Sequence, residues 1–399
     1  MDPVEATRHW ESTATNTFRL SQNPPLFVRG DGPFLYTAEG TQYLDLVGGS
    51  STSLLGHGHP AHEAAISEVL ASGILHTGTR LPSPNRAALY ETLGAVLPPH
   101  LTRLHLANSG AEAVETALKA AINHTGRRRV IAFEGGYHGR TLGALAVTHG
   151  HALRAPFEPW SDPWVAFAPY AVSESKIDAA LSALEAALRT VPTAAVIIEA
   201  VQGVSGVLGP VPRFLRGVQD LARSYSALLI ADEIWSGFGR AGRWFSFQHA
   251  DLAPDLVTMG KGLSASLPLS AVAGREAILS GWKPGSHTST FQGNPLAAAA
   301  ATATLRTLTQ ENLIDRARDV IAPAMANALQ GLDARVVGAQ AAIEMGTRDG
   351  AEALQRRALD AKMLVYGGGT AGQCAMLLPP LNIDVDVLVT AIGRLRGLM

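Results

Sequence analysis

The sequence predicts an α/β fold in which a mainly parallel central sheet is covered by helices on both faces and joined to a smaller α+β lobe. Short apolar runs alternate with amphipathic stretches from about residue 60 onward, which is the pattern of parallel strands connected by helices. The chain has 399 residues, of which 47% are apolar, so it can bury a sizeable core. It contains no internal repeat and no low-complexity linker.

Three parts are predicted along the chain. Residues 1–45 form an N-terminal arm and short strands that pack with the small lobe, with turns at Asp31-Gly32 and Glu39-Gly40. Residues 46–300 form the large domain, and residues 301–399 form the C-terminal small domain. A long helical region with a bend is expected to begin at NPLAAAAATATL.

Periodicity predicts the elements of the large domain. Apolar runs predict strands at LTRLHLAN, RRVIAFEGG, TAAVIIEAVQG, ALLIADE and PDLVTMG. Amphipathic runs predict helices at AHEAAISEVLAS, GAEAVETALKAAINHT, IDAALSALEAALRT and VPRFLRGVQDLARSYS. Pro212 is suited to start the last of these helices, and Gly126 to end the second. The basic run RRR at 127–129 is interpreted as a solvated loop.

Composition argues against several classes of partner. The net charge of −2 and the lack of a long basic run predict no nucleic-acid partner. No stretch reaches the roughly 18 apolar residues of a membrane span, and the N-terminus lacks the apolar core of a signal peptide. The single cysteine, Cys374, leaves no internal disulfide and fits a reducing compartment. We therefore expect a cytoplasmic protein without a membrane partner.

Residues that follow the predicted strands are candidates for a ligand site, because ligands of open parallel sheets collect at the carboxyl ends of the strands. Ser109, Gly110 and Ala111 begin a helix, and the free N–H groups there can bind an anion. An ordinary capped helix explains the same residues. Tyr137, His138 and Arg140 follow the next strand, where the aromatic ring could stack on a planar ligand and the arginine could bind a carboxylate. A surface loop is the alternative.

Two further strand ends carry charge. Asp232 and Glu233 end one apolar strand, and Lys261 follows another; the chain has only five lysines. Buried charges need partners, and a cationic ring nitrogen or a metal could serve the acids. No histidine pair is spaced for a metal, and His57 and His59 are interpreted as structural, so we expect no metal site. An anion site, an aromatic ring, an acid and an amine in this order match the needs of pyridoxal 5'-phosphate.

The order of these motifs resembles the class III aminotransferases, which are pyridoxal-phosphate enzymes of fold type I. The matching segments are NSGAEAVETALKAA, YHGRT, EAVQG, ADEIWSGFGR, MGKGL, HTSTFQGNPLAAAAA and LLPPL. The resemblance covers about residue 25 to the C-terminus. The segments GYHGRTLGAL and LPLSAVAG are most similar in sequence to 4-aminobutyrate aminotransferases and to related racemases and epimerases.

The resemblance implies roles for individual residues. Lys261 would form the Schiff base with the cofactor and then move the proton, and Asp232 would hold the ring nitrogen. Thr290 would reach the phosphate of a neighbouring subunit, which implies a homodimer with the active site at its interface. The other cofactor-binding residues implied are Ser109, Gly110, Ala111, Tyr137 and His138.

The substrate side departs from the family pattern. Glu199 matches an acidic residue that pairs in many members with an arginine for the substrate α-carboxylate, but Met376 occupies the expected arginine position. A one-residue slip in the alignment is the alternative explanation. Trp235 stands where a glutamine is common, and Ser50 begins a polar run at the pocket mouth. Arg140 remains at the position that binds a distal carboxylate.

The function expected is transfer of an amino group between an amine or ω-amino compound and a keto acid, aldehyde or ketone, through a pyridoxamine form of the cofactor. The alternative is an amino acid epimerase, racemase or aminomutase on the same fold. A scaffold without catalysis is a third possibility, against which the joint presence of Lys261 and Asp232 argues. Without an arginine partner, Glu199 could favour a substrate with a second ammonium group, such as a diamine or amino sugar.

Overall fold

The computed structural model describes residues 2–160 and 164–399. Its strands are β1 (Phe27–Asp31), β2 (Phe34–Thr37), β3 (Gln42–Asp45), β4 (Arg103–Ala107), β5 (Arg129–Phe133), β6 (Val165–Ala168), β7 (Thr193–Ile198), β8 (Leu228–Asp232), β9 (Leu256–Met259), β10 (Ser270–Gly274), β11 (Ala334–Val336), β12 (Ala341–Glu344), β13 (Met363–Leu364), β14 (Tyr366–Gly368) and β15 (Cys374–Leu377).

The helices of the described residues alternate with these strands. They are α1 (Pro3–Trp10), α2 (Gly48–Ser51), α3 (Pro60–Ser72), α4 (Pro84–Gly94), α5 (Gly110–Thr125), α6 (Leu142–Val147), α7 (His151–Arg154), α8 (Ile177–Thr190), α9 (Pro212–Ser224), α10 (Glu276–Leu279), α11 (Pro295–Gln310), α12 (Leu313–Arg316), α13 (Ala322–Ala328), α14 (Arg348–Asp360) and α15 (Val385–Arg396).

The central sheet has seven strands within the described ranges, in the order β4-β10-β9-β8-β7-β5-β6. Its pairings are parallel except those of β10, which runs antiparallel to both β4 and β9. The carboxyl ends of β5, β7, β8 and β9 therefore lie at one edge of the sheet, and the residues that follow these strands are brought together. The predicted α/β class with a mainly parallel sheet is confirmed.

Alternate residues of each strand are buried on opposite faces of the sheet. On β7, Val196 and Ile198 belong to one apolar cluster, whereas Ala195 and Ile197 belong to another on the opposite face. This alternation follows from the period of two in a strand. Helix α5 packs in the second cluster, and helices α8 and α9 contribute to the first. Because both faces are covered, the strands read as continuous apolar runs in the sequence.

Two smaller sheets flank the central one. Strands β11, β12, β15 and β14 form an antiparallel sheet in that order. The N-terminal strands β1, β2 and β3 form the other, and β13 joins it by pairing parallel with β3. The N-terminal segment thus pairs with a strand from the last part of the chain. The division into residues 1–45, 46–300 and 301–399 stays a prediction.

Most predicted elements occur with their expected ends. Helix α5 starts with a capping box at Ser109 and ends at Gly126 in a left-handed conformation, and α9 starts at Pro212. The long helical region is divided into α11, α12 and α13, with a π-helical turn at Ala317–Ile321. Helix α4 and the edge strand β6 were missed by the sequence pattern.

The interpretation of the RRR run as a solvated loop is right for Arg128, which is exposed outside helices and strands, but wrong for the half-buried Arg127 and Arg129. Arg127 donates through Nη1 to the carbonyl oxygens of Thr193, Tyr225 and Ser226 at 2.8–3.1 Å. Arg129 lies in β5 and donates to the carbonyl of Ala187 at 3.2 Å. These arginines satisfy carbonyl groups near the ends of neighbouring elements, which would otherwise lack partners.

No helix among the described residues combines the length and apolar character needed to cross a bilayer.

Candidate active site

A cavity of about 410 Å³ lies at the carboxyl edge of the central sheet. Its lining includes ten residues predicted from the sequence: Ser50, Gly110, Ala111, Tyr137, His138, Arg140, Glu199, Asp232, Trp235 and Lys261. Except for Ser50, which lies on α2, these residues end or follow strands of the central sheet that end at the same edge.

Asp232, the last residue of β8, is 3% exposed and has three hydrogen-bond donors around it. His138 donates through Nδ1 to Oδ2 at 2.6 Å, while the Thr258 hydroxyl and the Ile234 N–H donate to Oδ1 at 2.9 and 3.1 Å. These donors give both oxygens of the buried Asp232 carboxyl group a hydrogen-bond partner. Burial alone lowers the pKa of His138, but the hydrogen bond and charge of Asp232 outweigh it and raise that pKa above its ordinary value.

Lys261 follows β9 after one glycine and has a backbone φ of 41°. A left-handed conformation at a lysine costs about 1–3 kcal/mol and persists where the surroundings hold it. Burial lowers the pKa of its amine to about 8, against the opposing charges of Asp232 and Glu199. Its Nζ lies 4.2 Å from the centroid of the Trp235 ring. The amine is thus desolvated and partly neutral near neutral pH, and the backbone that carries it is strained.

Glu199 follows β7 and is 4% exposed. One carboxylate oxygen accepts the N–H of Tyr137 at 2.9 Å. Burial raises the pKa of Glu199 to about 7, with the charge of His138 opposing the shift. Among the described residues no lysine or arginine forms an ion pair with it. An acid that is half ionised at neutral pH therefore lines the cavity beside the lysine.

Aromatic and polar side chains form the rest of the wall. Arg140 donates through Nε to the Tyr137 hydroxyl at 3.1 Å. The rings of Trp235 and Tyr366 lie 5.7 Å apart with an interplanar angle of 59°. Ser50 is near the Tyr366 hydroxyl, whose pKa burial raises. This wall combines two aromatic faces with an exposed guanidinium.

Three predicted residues do not line the cavity. The Ser109 hydroxyl accepts the N–H of Glu112 at 3.2 Å and is used in the cap of α5. The N–H groups of the first turn have no partner within the helix by its geometry. Thr290 is exposed on the segment before α11. Met376 is 0% exposed, in a buried cluster that also contains Trp235.

Sequence reasoning missed four residues of this region. Thr258, on β9, donates to Asp232, and its position on the strand beside the acid is a signal that could have found it. Val204, Ile234 and Tyr366 line the cavity. No local signal marks Tyr366, because it comes from the small antiparallel sheet.

No group of three or more His, Cys, Asp or Glu side chains within the described ranges is arranged to hold a metal ion.

Glu233 is fully buried but belongs to the scaffold and not to the cavity. Its two oxygens accept the N–H groups of Ser246 and Phe247, both at 2.8 Å, and the hydroxyl groups of Ser246 and Ser236. Burial nevertheless raises the pKa of Glu233 to about 7, because the hydrogen bonds offset only part of the desolvation. Asp232 therefore lines the cavity, whereas the adjacent Glu233 holds neighbouring segments of the fold together.

Replacing Glu233 with glutamine is expected to change how stability depends on pH. Between pH 4.5 and about 7 the unfolded chain releases a proton that folded Glu233 keeps, so the native protein loses stability as pH rises. This loss in the free energy of unfolding is about 3 kcal/mol for the wild type and is absent in Glu233→Gln. Urea unfolding midpoints at pH 5 and pH 8 measure it, with the exposed Glu68→Gln as control. Equal pH dependence in all three proteins would contradict this assignment.

The fold of this chain is that of a transaminase. A solved structure titled as a new transaminase from the marine bacterium Virgibacillus superposes with a TM-score of 0.89 over 99% of this chain and 98% of the other, at 21% identity. The model of the family Aminotransferase class-III matches residues 19–398. The chain therefore belongs to the class-III aminotransferases, enzymes that transfer an amino group between an amine and a keto acid.

Relatives of known name match over almost the full length. The acetylornithine aminotransferase of Methanopyrus kandleri is 38% identical over 384 residues, which cover 95% of each chain. The acetylornithine aminotransferase of Streptomyces coelicolor is 38% identical over 409 residues, covering 100% of this chain and 96% of that protein. The diaminobutyrate–2-oxoglutarate aminotransferase of Haemophilus influenzae is 33% identical and covers 94% and 90%.

Proposed function

We propose that this aminotransferase uses pyridoxal 5'-phosphate bound in the cavity at the carboxyl edge of the sheet. The observation that carries the proposal is the buried Lys261 amine in the same cavity as the Asp232 carboxylate. When bound, the cofactor supplies an aldehyde that captures amines and an electron-withdrawing ring. Lys261 is the amine for that aldehyde, and Asp232 is the acid for the ring nitrogen.

The donor set fits this cofactor. The first turn of α5, at Gly110 and Ala111, supplies N–H groups and a positive dipole end for a phosphate, and Ser109 holds the start of that turn. Tyr137 offers a ring to stack on. The buried Nε2 of His138 has no hydrogen-bond partner among the described residues, whereas its Nδ1 is committed to Asp232. We assign His138 to the support of Asp232.

The chain's own groups can hold and move the proton that amino transfer requires. With a pKa of about 8, the Lys261 amine has a neutral fraction that accepts a proton and a charged fraction that returns it near neutral pH. Three donors hold the Asp232 carboxyl group in a fixed orientation. Trp235, Tyr366 and Val204 form an apolar side of the cavity that reduces the access of water.

A homodimer is part of this proposal. Thr290 lies beside Phe291, which is 60% exposed, and the ring of Phe291 is 5.2 Å from that of His76. Large apolar side chains are exposed in the single chain on this segment and on residues 70–81, and a second copy docked there would cover them. They are Leu70, Ile74, Leu75, Leu81 and Phe291. A partner docked there supports the role of Thr290 at the neighbouring site.

The buried free thiol of Cys374 favours a reducing compartment such as the cytoplasm.

The amino donor that we propose carries a second ammonium group, as in a diamine or an amino sugar. Glu199 lines the cavity and forms no ion pair with a lysine or arginine among the described residues, and the faces of Trp235 and Tyr366 flank the same space. A carboxylate and aromatic faces are the groups that recognise an ammonium. The relative named for diaminobutyrate acts, by its name, on a compound of this kind.

Paired donors test this function. Purified holoenzyme is incubated with 2-oxoglutarate and either 1,4-diaminobutane or 1-aminobutane, and glutamate formation is measured. The diamine is expected to react at least about tenfold faster in kcat/KM, and Glu199→Gln should remove most of that preference. Equal rates would overturn the donor assignment. Inversion of an amino acid without an acceptor, and no glutamate from any amine, would instead favour the epimerase, racemase or aminomutase alternative.

A further inference from the structure

The indole ring of Trp235 lies against the Lys261 amine. Nζ is 4.2 Å from the ring centroid, well inside the distance at which an aromatic face attracts a cation. Trp235 is 5% exposed, so little water competes for this contact. The tryptophan comes from the segment that follows β8, two residues beyond the acid pair, and so approaches the lysine from a neighbouring strand.

The ring has a fixed orientation. Its Nε1–H donates to Oε1 of Gln340 at 3.0 Å, and Gln340 is itself fully buried. A methyl group at Gly203 would overlap the indole at Cδ1, so the chain leaves space there for the ring alone. Behind the ring lies the cluster that contains Met376. These contacts prevent the indole from turning away from the amine.

The other groups that face Lys261 are charged or titratable. Asp232 on β8 and Glu199 after β7 favour its protonated form, while burial disfavours it. His138 after β5 pairs with Asp232, and Tyr137 and Tyr366 line the same cavity. Charges alone do not fix the position of a flexible four-carbon amine, whereas a rigid aromatic face does.

We propose that Trp235 is a positioning residue whose ring holds the Lys261 nitrogen in place and stabilises its positive charge, with Gln340 and the Met376 cluster fixing the ring. The proposal rests on the proposed role of Lys261 as the residue that carries the cofactor. The lysine–cofactor linkage keeps a protonatable nitrogen at the Nζ position, so the ring acts on that nitrogen as well.

The test is the pH titration of the holoenzyme, read from the absorbance band of the lysine–cofactor linkage. Trp235→Leu should lower the pH midpoint by about 0.5–1.5 units, because the charged form loses the aromatic face. Trp235→Phe keeps a face and should shift the midpoint by less than half as much. Gln340→Leu frees the indole and should give an intermediate shift.

The sign of the shift decides the outcome. If the tryptophan only fills space, its removal admits water, favours the charged form and raises the midpoint. A rise in Trp235→Leu, or equal shifts in Trp235→Leu and Trp235→Phe, would overturn the proposal. Trp10→Leu, at an exposed tryptophan at the end of α1, is the control and should leave the midpoint unchanged. If the wild-type protein forms no linkage at all, the proposed cofactor fails and not this contact alone.

Discussion

Replacing Lys261 with alanine is expected to lower the rate of amino transfer by at least about a thousandfold. In the proposed function the amine both carries the cofactor and moves the proton, and among the residues that line the cavity it is the only lysine. A methyl group at this position can do neither. Initial rates of glutamate formation measure the loss, and mass spectrometry after borohydride treatment should find the cofactor fixed to the peptide of Lys261 only in the wild type.

The matched control is Lys283→Ala, an exposed lysine on the segment after α10. This variant should keep the wild-type rate and the label on Lys261. A wild-type protein labelled at any of the other four lysines would refute the assignment. Full activity in Lys261→Ala would refute it as well, because no other amine lines the cavity in the part of the chain that the structure describes.

Replacing Met376 with arginine is expected to destabilise the protein by about 3–5 kcal/mol. Met376 is fully buried on β15, and its Sδ lies against Gly368 of the neighbouring strand so closely that a methyl group there would overlap it. A guanidinium placed in this cluster would be desolvated without an acid to pair with. Urea unfolding of the purified variant measures the effect. The control Met376→Leu keeps the volume and should cost less than about 1.5 kcal/mol.

We expect Met376 to influence substrate choice through Trp235, because both lie in one buried cluster. Met376→Arg alone should not improve glutamate as an amino donor, since position 376 is fully buried and does not line the cavity. The double variant Trp235→Gln/Met376→Arg removes the indole, so the guanidinium at position 376 could reach the cavity. It should recover part of the stability lost in Met376→Arg and should gain turnover of glutamate. Stability losses that simply add, with glutamate turnover unchanged, would show that the two positions are independent.

The sequence predicted the site better than it predicted the site's surroundings. Asp232 and Lys261 were found because strand ends of a parallel sheet meet at one edge, which is a consequence of topology alone. Tyr366 was missed because it reaches the cavity from a different sheet, and no local pattern records that approach. The location of Met376 behind Trp235 depends on side-chain packing, which alignment of a motif does not describe. The direction of β10 was likewise absent from the pattern, because an antiparallel strand buried on both faces has the composition of a parallel one.

The pairing of β3 with β13 has a consequence for synthesis of the chain. Leu44 pairs with Met363 and Asp45 with Leu364, so two segments from opposite ends of the sequence share hydrogen bonds. During translation, the edge of β3 remains without its neighbour until almost the whole polypeptide has left the ribosome. An unpaired strand edge is prone to join other chains. Nascent or C-terminally shortened molecules would therefore depend on chaperones at this edge, and their cavity would also lack Tyr366, which follows β13 in the chain.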